Sequence, residues 1–199
     1  MVVSSSSDSG SSDEALMLAF AQGNMNAFEQ LYDRHESGVW RFVFRSVQNQ
    51  AVADDLAQEL WFAVARSAAH YQPTAKFKTW LFTMARNRMI DHARTAKHHS
   101  SIDAENEEGE SMFSDLAADS RLGPLRQVSS REQAKALLDA VEKLPADQRE
   151  AFLLQAEGDM SVEDIAAATG VSFETAKSRL RYARNKLKEL LADFAEAAP

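Results

Sequence analysis

From Ser12 to the C-terminus the chain almost lacks residues that interrupt helices. Seven glycines and four prolines are all that punctuate 199 residues. The stretches between them are rich in Ala, Leu, Gln, Glu, Arg and Met, which carry high helix propensity. No segment alternates convincingly with the period of a strand, so the expected fold class is all-α. A hydrophobic fraction of 45% is enough to build a core. The absence of cysteine excludes zinc fingers, thiol redox motifs and cysteine nucleophiles. No run of about 18 apolar residues and no signal-peptide pattern occurs, so a cytoplasmic location without membrane insertion is expected.

The chain divides into four parts. Residues 1–12 form a Ser-rich tail that cannot bury anything and is expected to be disordered. Ser12 caps the first helix, with Asp13 and Glu14 favourably placed against its dipole. Residues 13–99 read as one helical domain. Phe28, Leu31, Tyr32, Val39, Phe42 and Val43 give one long helix or two joined near Gly38. Val52, Leu56, Leu60 and Val64 line the next helix, and Pro73 ends it before a helix from about Phe77 to Lys97. Residues 100–128 read as a flexible acidic linker. Asp103, Glu105, Glu107, Glu108, Glu110, Asp115 and Asp119 lie there with no cation between Lys97 and Arg121. Residues 129–199 read as a second small helical domain.

Ser161 to Leu180 of that domain reads as a helix-turn-helix. Ser161 and Asp164 form a capping-box pattern, Gly170 stands at the turn, and Ser172 caps the second helix. Ile165, Ala166, Val171, Ala176 and Leu180 supply the buried contacts. The second helix carries Lys177, Arg179, Arg181, Arg184, Lys186 and Lys188, with no acid from Thr175 through Lys188. Such a run can be an ordinary solvated face. Joined to a helix-turn-helix, it favours DNA, the start of the helix reading the major groove and the later cations holding phosphates.

Two helices of the first domain carry opposite charge. Asp54, Asp55, Gln58 and Glu59 cluster on one helical face with no Lys or Arg between Arg45 and Arg66, which suits a basic partner or a solvated surface. From Lys76 to Arg94 aromatics, amides and cations interleave, the mixture that stacks on bases while neutralising phosphates. Here Lys76, Lys78, Arg86, Arg88, Arg94 and Lys97 outnumber the single Asp91, although most of the apolar residues of this helix serve the core.

These segments, in this order, resemble a bacterial sigma factor of the extracytoplasmic-function class, the smallest members of the sigma-70 family. The residues that carry the resemblance are Phe28-Glu-Gln-Leu-Tyr, Asp54-Asp-Leu-Ala-Gln-Glu, Phe77-Lys-Thr-Trp-Leu through Arg94, and Leu144-Pro through the helix-turn-helix. The resemblance implies a non-enzymatic initiation factor without a cofactor that gives core RNA polymerase its promoter specificity. In such a protein residues 13–99 are sigma region 2 and residues 129–199 sigma region 4. Asp54, Asp55, Gln58 and Glu59 would dock on the clamp helices of the largest polymerase subunit, and region 4 would meet the flap. Tyr71, Lys76, Lys78, Thr79, Trp80, Arg86, Asn87, Arg88, Asp91 and Arg94 would serve the −10 element of promoter DNA, the loop from Tyr71 holding an extruded base. Ser172, Phe173, Glu174, Thr175, Lys177, Ser178, Arg179, Arg181 and Arg184 would serve the −35 element. The acidic linker would thread the polymerase channels, and an anti-sigma protein is a further expected partner. The chain departs from many members at Thr169, Ala176 and Tyr182.

Two other readings use the same residues. A helix-turn-helix regulator acting without polymerase would not need the Asp54 to Glu59 face. A metal enzyme would draw on His35, His70, His92, His98 or His99, none of which stands in a ligand pattern with the carboxylates. The net charge of −8 would oppose DNA binding if it were uniform, but seven of the carboxylates lie between residues 100 and 119, where there is no cation.

Overall fold

The computed structural model describes residues 11–100 and 131–192. Most of the Ser-rich tail and the acidic connector lie outside the described residues. The described chain is all-α, with helix clusters on either side of the connector. The first unit holds α1 (Asp13–Ala21), α2 (Met25–Val47), α3 (Gln50–Ser67), a short 3-10 turn (Ala68–His70) and α4 (Phe77–Ser100). The second holds α5 (Arg131–Glu142), α6 (Ala146–Ala156), α7 (Val162–Thr169) and α8 (Phe173–Leu190).

Helix starts follow local chemistry. The side chains of Ser12, Asn24 and Asn49 accept from backbone amides in the first turns of α1, α2 and α3. α2 runs unbroken through Gly38. A Cβ at that position would meet its nearest atoms, on Arg41 and Phe82, at 3.7 and 3.8 Å. The first core gathers Met17, Leu31, Val39, Phe42, Leu60, Val64, Phe77, Leu81 and Phe82, all buried.

Asp13 and Glu14 do more than favour the dipole of α1. Asp13 takes the buried His35 Nε2 at 2.6 Å and Arg34 at 2.8 Å, tying α1 to α2. Burial pushes the His35 pKa down, and Asp13 opposes that shift. Glu14 accepts from the Phe77 amide at 2.7 Å, so a residue 63 positions upstream satisfies the first amide of α4.

The two units pack on each other, which the sequence reading of separate domains did not foresee. At the corner between α6 and α7, Glu157 is buried between two arginines of α2. Arg41 Nε donates to Glu157 Oε2 at 3.0 Å, and Arg45 donates to Glu157 Oε1. Arg86 of α4 donates to Glu150 and to the Ala168 carbonyl, each at 2.9 Å. A Cβ at Gly158 would come within 2.5 Å of the Leu154 carbonyl oxygen and 3.2 Å of Phe82, so this corner closes on the first core only with glycine.

Glu14→Ala leaves the Phe77 amide without its acceptor and is expected to cost about 1 kcal/mol, measured as a lower urea midpoint at neutral pH. The Phe77 amide holds the Glu14 carboxyl below its ordinary value of 4.5. Its contribution is therefore complete above that value and is lost as pH falls through the lowered folded pKa. Wild type and Glu14→Ala should converge in stability in acid.

Candidate functional site

Three surfaces emerge, and each gathers residues expected from the sequence with others that were not. The first is a groove of about 670 Å³ between α2 and α3. Asp54, Asp55 and Gln58 line it together with Phe28, Tyr32, Trp40, Trp61 and Phe62, and Glu59 is exposed beside it. The aromatics are built into one another: Trp61 lies 5.0 Å from Tyr32 and 5.9 Å from Phe28, ring centre to ring centre. Trp40 stacks on Phe44 at 4.8 Å and donates its indole N–H to Asp54 Oδ1 at 2.6 Å. A carboxylate rim thus stands over an aromatic floor. Phe62, 57% exposed, is the part the sequence could have disclosed, since it follows Asp55 by seven residues and Glu59 by three on the same helical face.

The second surface surrounds the turn before α4. A cavity of about 490 Å³ is lined by Tyr71, Gln72, Thr74, Trp80, Met84 and Arg88, and on its α3 side by Arg66, Ser67 and His70. Tyr71 packs edge-on against Trp80 at 5.2 Å. Its hydroxyl is buried with no hydrogen-bond partner among the described residues, and burial raises its pKa, the carboxylates Glu14 and Asp13 adding to the effect. Among the expected residues, Tyr71, Trp80 and Arg88 therefore share a cavity. Lys76, Lys78 and Thr79, at the start of α4, do not line it. Asn87, Asp91 and Arg94 are exposed further along, with Asp91 and Arg94 paired at 3.7 Å. Arg86 is apart from the group, engaged by the second unit. Arg66 and Ser67 went unnoticed because their place in the cavity depends on how α3 crosses α4.

The third surface is the helix-turn-helix. Ser161 and Asp164 exchange both bonds of a capping box, Gly170 takes the left-handed conformation at φ 68°, and the Ser172 hydroxyl accepts from the Thr175 amide. Ile165, Ala166, Ala176 and Leu180 are buried between α7, α8 and their neighbours, while Val171 is half-buried. Ser172, Phe173, Glu174, Thr175, Lys177, Arg181 and Arg184 are exposed, and Ser178 and Arg179 are partly covered.

The cations of α8 are not all bare, as the sequence suggested. Lys177 is 4.0 Å from Glu174 and 5.7 Å above the Phe173 ring, Lys186 is 3.1 Å from Glu189, and Arg181 lies 5.0 Å above Tyr182. Arg179 pairs with Asp147, and Arg184 with Gln155, both on α6. Their partners come from outside the acid-free window. Exposed pairs of this kind hold about 0–1 kcal/mol, which a polyanion readily displaces. Among the described residues no group of three His, Asp or Glu side chains is placed to hold a metal ion. No described helix is long and apolar enough to cross a membrane.

Comparison with known proteins places the chain in a family. The sequence model of Sigma-70 region 2 matches residues 31–99, and that of Sigma-70, region 4 matches residues 134–187. The RNA polymerase sigma factor CarQ of Myxococcus xanthus is 35% identical over 178 residues, covering 89% of this chain and 97% of its own. Among solved structures, CnrH in complex with the cytosolic domain of CnrY is 26% identical, covers 91% of this chain and 97% of its own, and superposes with a TM-score of 0.61. The sigma factor RpoE in complex with the anti-sigma factor NepR from Bartonella quintana is 25% identical, covers 83% and 96%, and gives 0.62.

The chain belongs to the extracytoplasmic-function class of sigma-70 family RNA polymerase sigma factors. Such a protein binds core RNA polymerase and directs promoter recognition and initiation, and is not itself an enzyme.

Tyr71→Phe removes a buried hydroxyl that has no partner among the described residues. The variant is expected to match or exceed wild-type stability, by up to about 1 kcal/mol, in urea unfolding. A loss of that size instead would show that the hydroxyl is hydrogen-bonded.

Proposed function

We propose that the three surfaces divide the work of initiation as the family order implies. The α2–α3 groove meets core polymerase, the cavity beside Tyr71 and the cationic face of α4 take the −10 strand, and α8 reads the −35 duplex. The observation that carries this is the groove itself, where Asp54, Asp55 and Gln58 rim an aromatic floor in which Tyr32 and Phe62 are exposed. An exposed Phe62 beside carboxylates is costly in solvent and suits a partner helix that offers both cations and apolar side chains, such as the polymerase clamp helices.

The cavity at Tyr71 suits an extruded base. It offers the Trp80 ring for stacking, the unpartnered Tyr71 hydroxyl at its wall, and Arg66 and Arg88 for the flanking backbone. Unstacking a base costs a few kcal/mol, which these contacts would offset. On α8, Phe173 and Lys177 stand in the first turns, where a recognition helix meets base edges, and Arg181 and Arg184 stand where phosphates run. The proposed units are residues 13–99 and 129–199, joined by the acidic segment 100–128, with region 4 also meeting the flap. An anti-sigma protein is a proposed further partner, as the RpoE–NepR complex exemplifies for its own chain.

Replacing Asp55 and Glu59 together by Ala is expected to abolish capture of core polymerase by the tagged full-length chain, at unchanged helical content. Capture equal to wild type would contradict the groove assignment. Lys177→Ala is expected to weaken binding to duplex promoter DNA while leaving capture of core intact, checked by electrophoretic mobility shift of the holoenzyme.

A further inference from the structure

We propose that Trp40 is a positioning residue of the α2–α3 groove: its indole N–H holds the Asp54 carboxylate in one orientation, so that a cationic partner meets a rim already arranged. The proposal rests on the assignment of the groove to core polymerase and adds to it a residue that no acidic pattern marks.

Trp40 is itself fixed. Its ring lies 4.8 Å from that of Phe44, one turn further along α2, with only 12° between the ring planes. Phe44 is half-buried and packs against the first core. The stack sets the plane of the indole, and Nε1 donates from that plane to Asp54 Oδ1 at 2.6 Å, across the gap between the helices. The bond joins α2 to the early turns of α3, 14 residues further along the chain. Asp54 is exposed, and a carboxylate on an exposed helix face, left to itself, turns among several rotamers in water. The indole ends that freedom.

The kind of donor matters. An indole N–H is neutral and only donates, so it fixes the carboxylate without cancelling its charge. A lysine or arginine in its place would neutralise Asp54 and compete with the cations of the partner, and none lies between Arg45 and Arg66. Trp40 engages one oxygen of Asp54, which leaves Oδ2 as an acceptor.

The consequence runs along α3. Asp54, Gln58 and Phe62 recur at intervals of four and line the groove as one row. Asp55 and Glu59 form the adjoining row. Trp40 grips the first residue of the first row, beside the like charge of Asp55. Free carboxylates side by side swing apart, whereas the hydrogen bond keeps the Asp54 charge at the mouth of the groove, above the aromatic floor. Groups arranged in advance bind better, because the entropy of ordering them is lost on folding rather than on association.

Binding of the full-length chain, carrying fluorescein at its N-terminus, to purified core polymerase is followed by fluorescence anisotropy. Trp40→Phe keeps a ring on Phe44 and removes the donor. It is expected to weaken binding about fivefold at unchanged helical content, on the order of the cost of immobilising one side chain. Asp54→Ala should weaken binding more in the wild-type background than in Trp40→Phe, whereas Asp55→Ala should weaken both by the same factor. A merely structural role for Trp40 would make the Asp54→Ala factors equal as well. The chain has three tryptophans, and the indole N–H resonance that Trp40→Phe removes should move upfield on Asp54→Ala further than those of Trp61 and Trp80. If Trp40→Phe does not fold, benzothienylalanine at position 40, with sulfur in place of the N–H in a ring of the same shape, takes its place. Wild-type affinity in the variant lacking the donor, equal Asp54→Ala factors, or a Trp40 indole resonance unmoved by Asp54→Ala would each overturn the proposal. Replacing Asp55 and Glu59 together by Ala separates the two readings. Capture of core undiminished by that pair would overturn the groove assignment and the positioning role with it; capture lost with that pair but unchanged in Trp40→Phe would overturn the positioning role alone.

Discussion

Two guanidinium groups buried on one face of α2 must find negative charge, and the carboxylate that meets them belongs to the other half of the chain. While the two units are packed together, an uncompensated charge at such a position costs several kcal/mol. The pairing places the α6–α7 corner on α2 and brings the Ala168 carbonyl to Arg86 of α4. α2 consequently serves two cores. Leu31, Val39, Phe42 and Val43 bury into the first unit, while Arg41 and Arg45 anchor the second.

The outer turns of the same helix serve a third purpose. Tyr32 and Trp40, eight residues apart and so on nearly one face, form the groove with Trp61 and Phe62 of α3. The groove and the seam between the two units lie on different faces of α2 and have no residue in common.

Much of this fold was legible because it is written locally. The caps at Ser12, Ser161 and Ser172, the left-handed Gly170 and the spacing of Leu56, Leu60 and Val64 each express short-range chemistry. The carboxylates of α3 were legible for the same reason, four of the polar residues falling within six positions. What was not legible depends on partners far along the chain. Arg41 and Arg45 look like ordinary surface cations until Glu157 is placed, and Arg86 looks like a free phosphate contact until Glu150 is. The floor of the groove escaped notice because Tyr32 and Trp61 fit an apolar stripe, and periodicity does not distinguish a core aromatic from one that lines an open groove. Even the helix at Gly38 was ambiguous: glycine disfavours a helix interior by about 1 kcal/mol, and the packing of α2 on its neighbours outweighs it.

The central claim, that these surfaces together make core RNA polymerase specific for promoters, is tested most directly by reconstituted transcription. Purified core polymerase is given the full-length chain and linear DNA fragments from the genome that encodes it, and the 5′ ends of the transcripts are mapped. Transcripts starting at a small set of discrete sites, absent with core alone and sharing one upstream sequence pattern, are the expected result. Start sites unchanged by adding the chain would contradict the account.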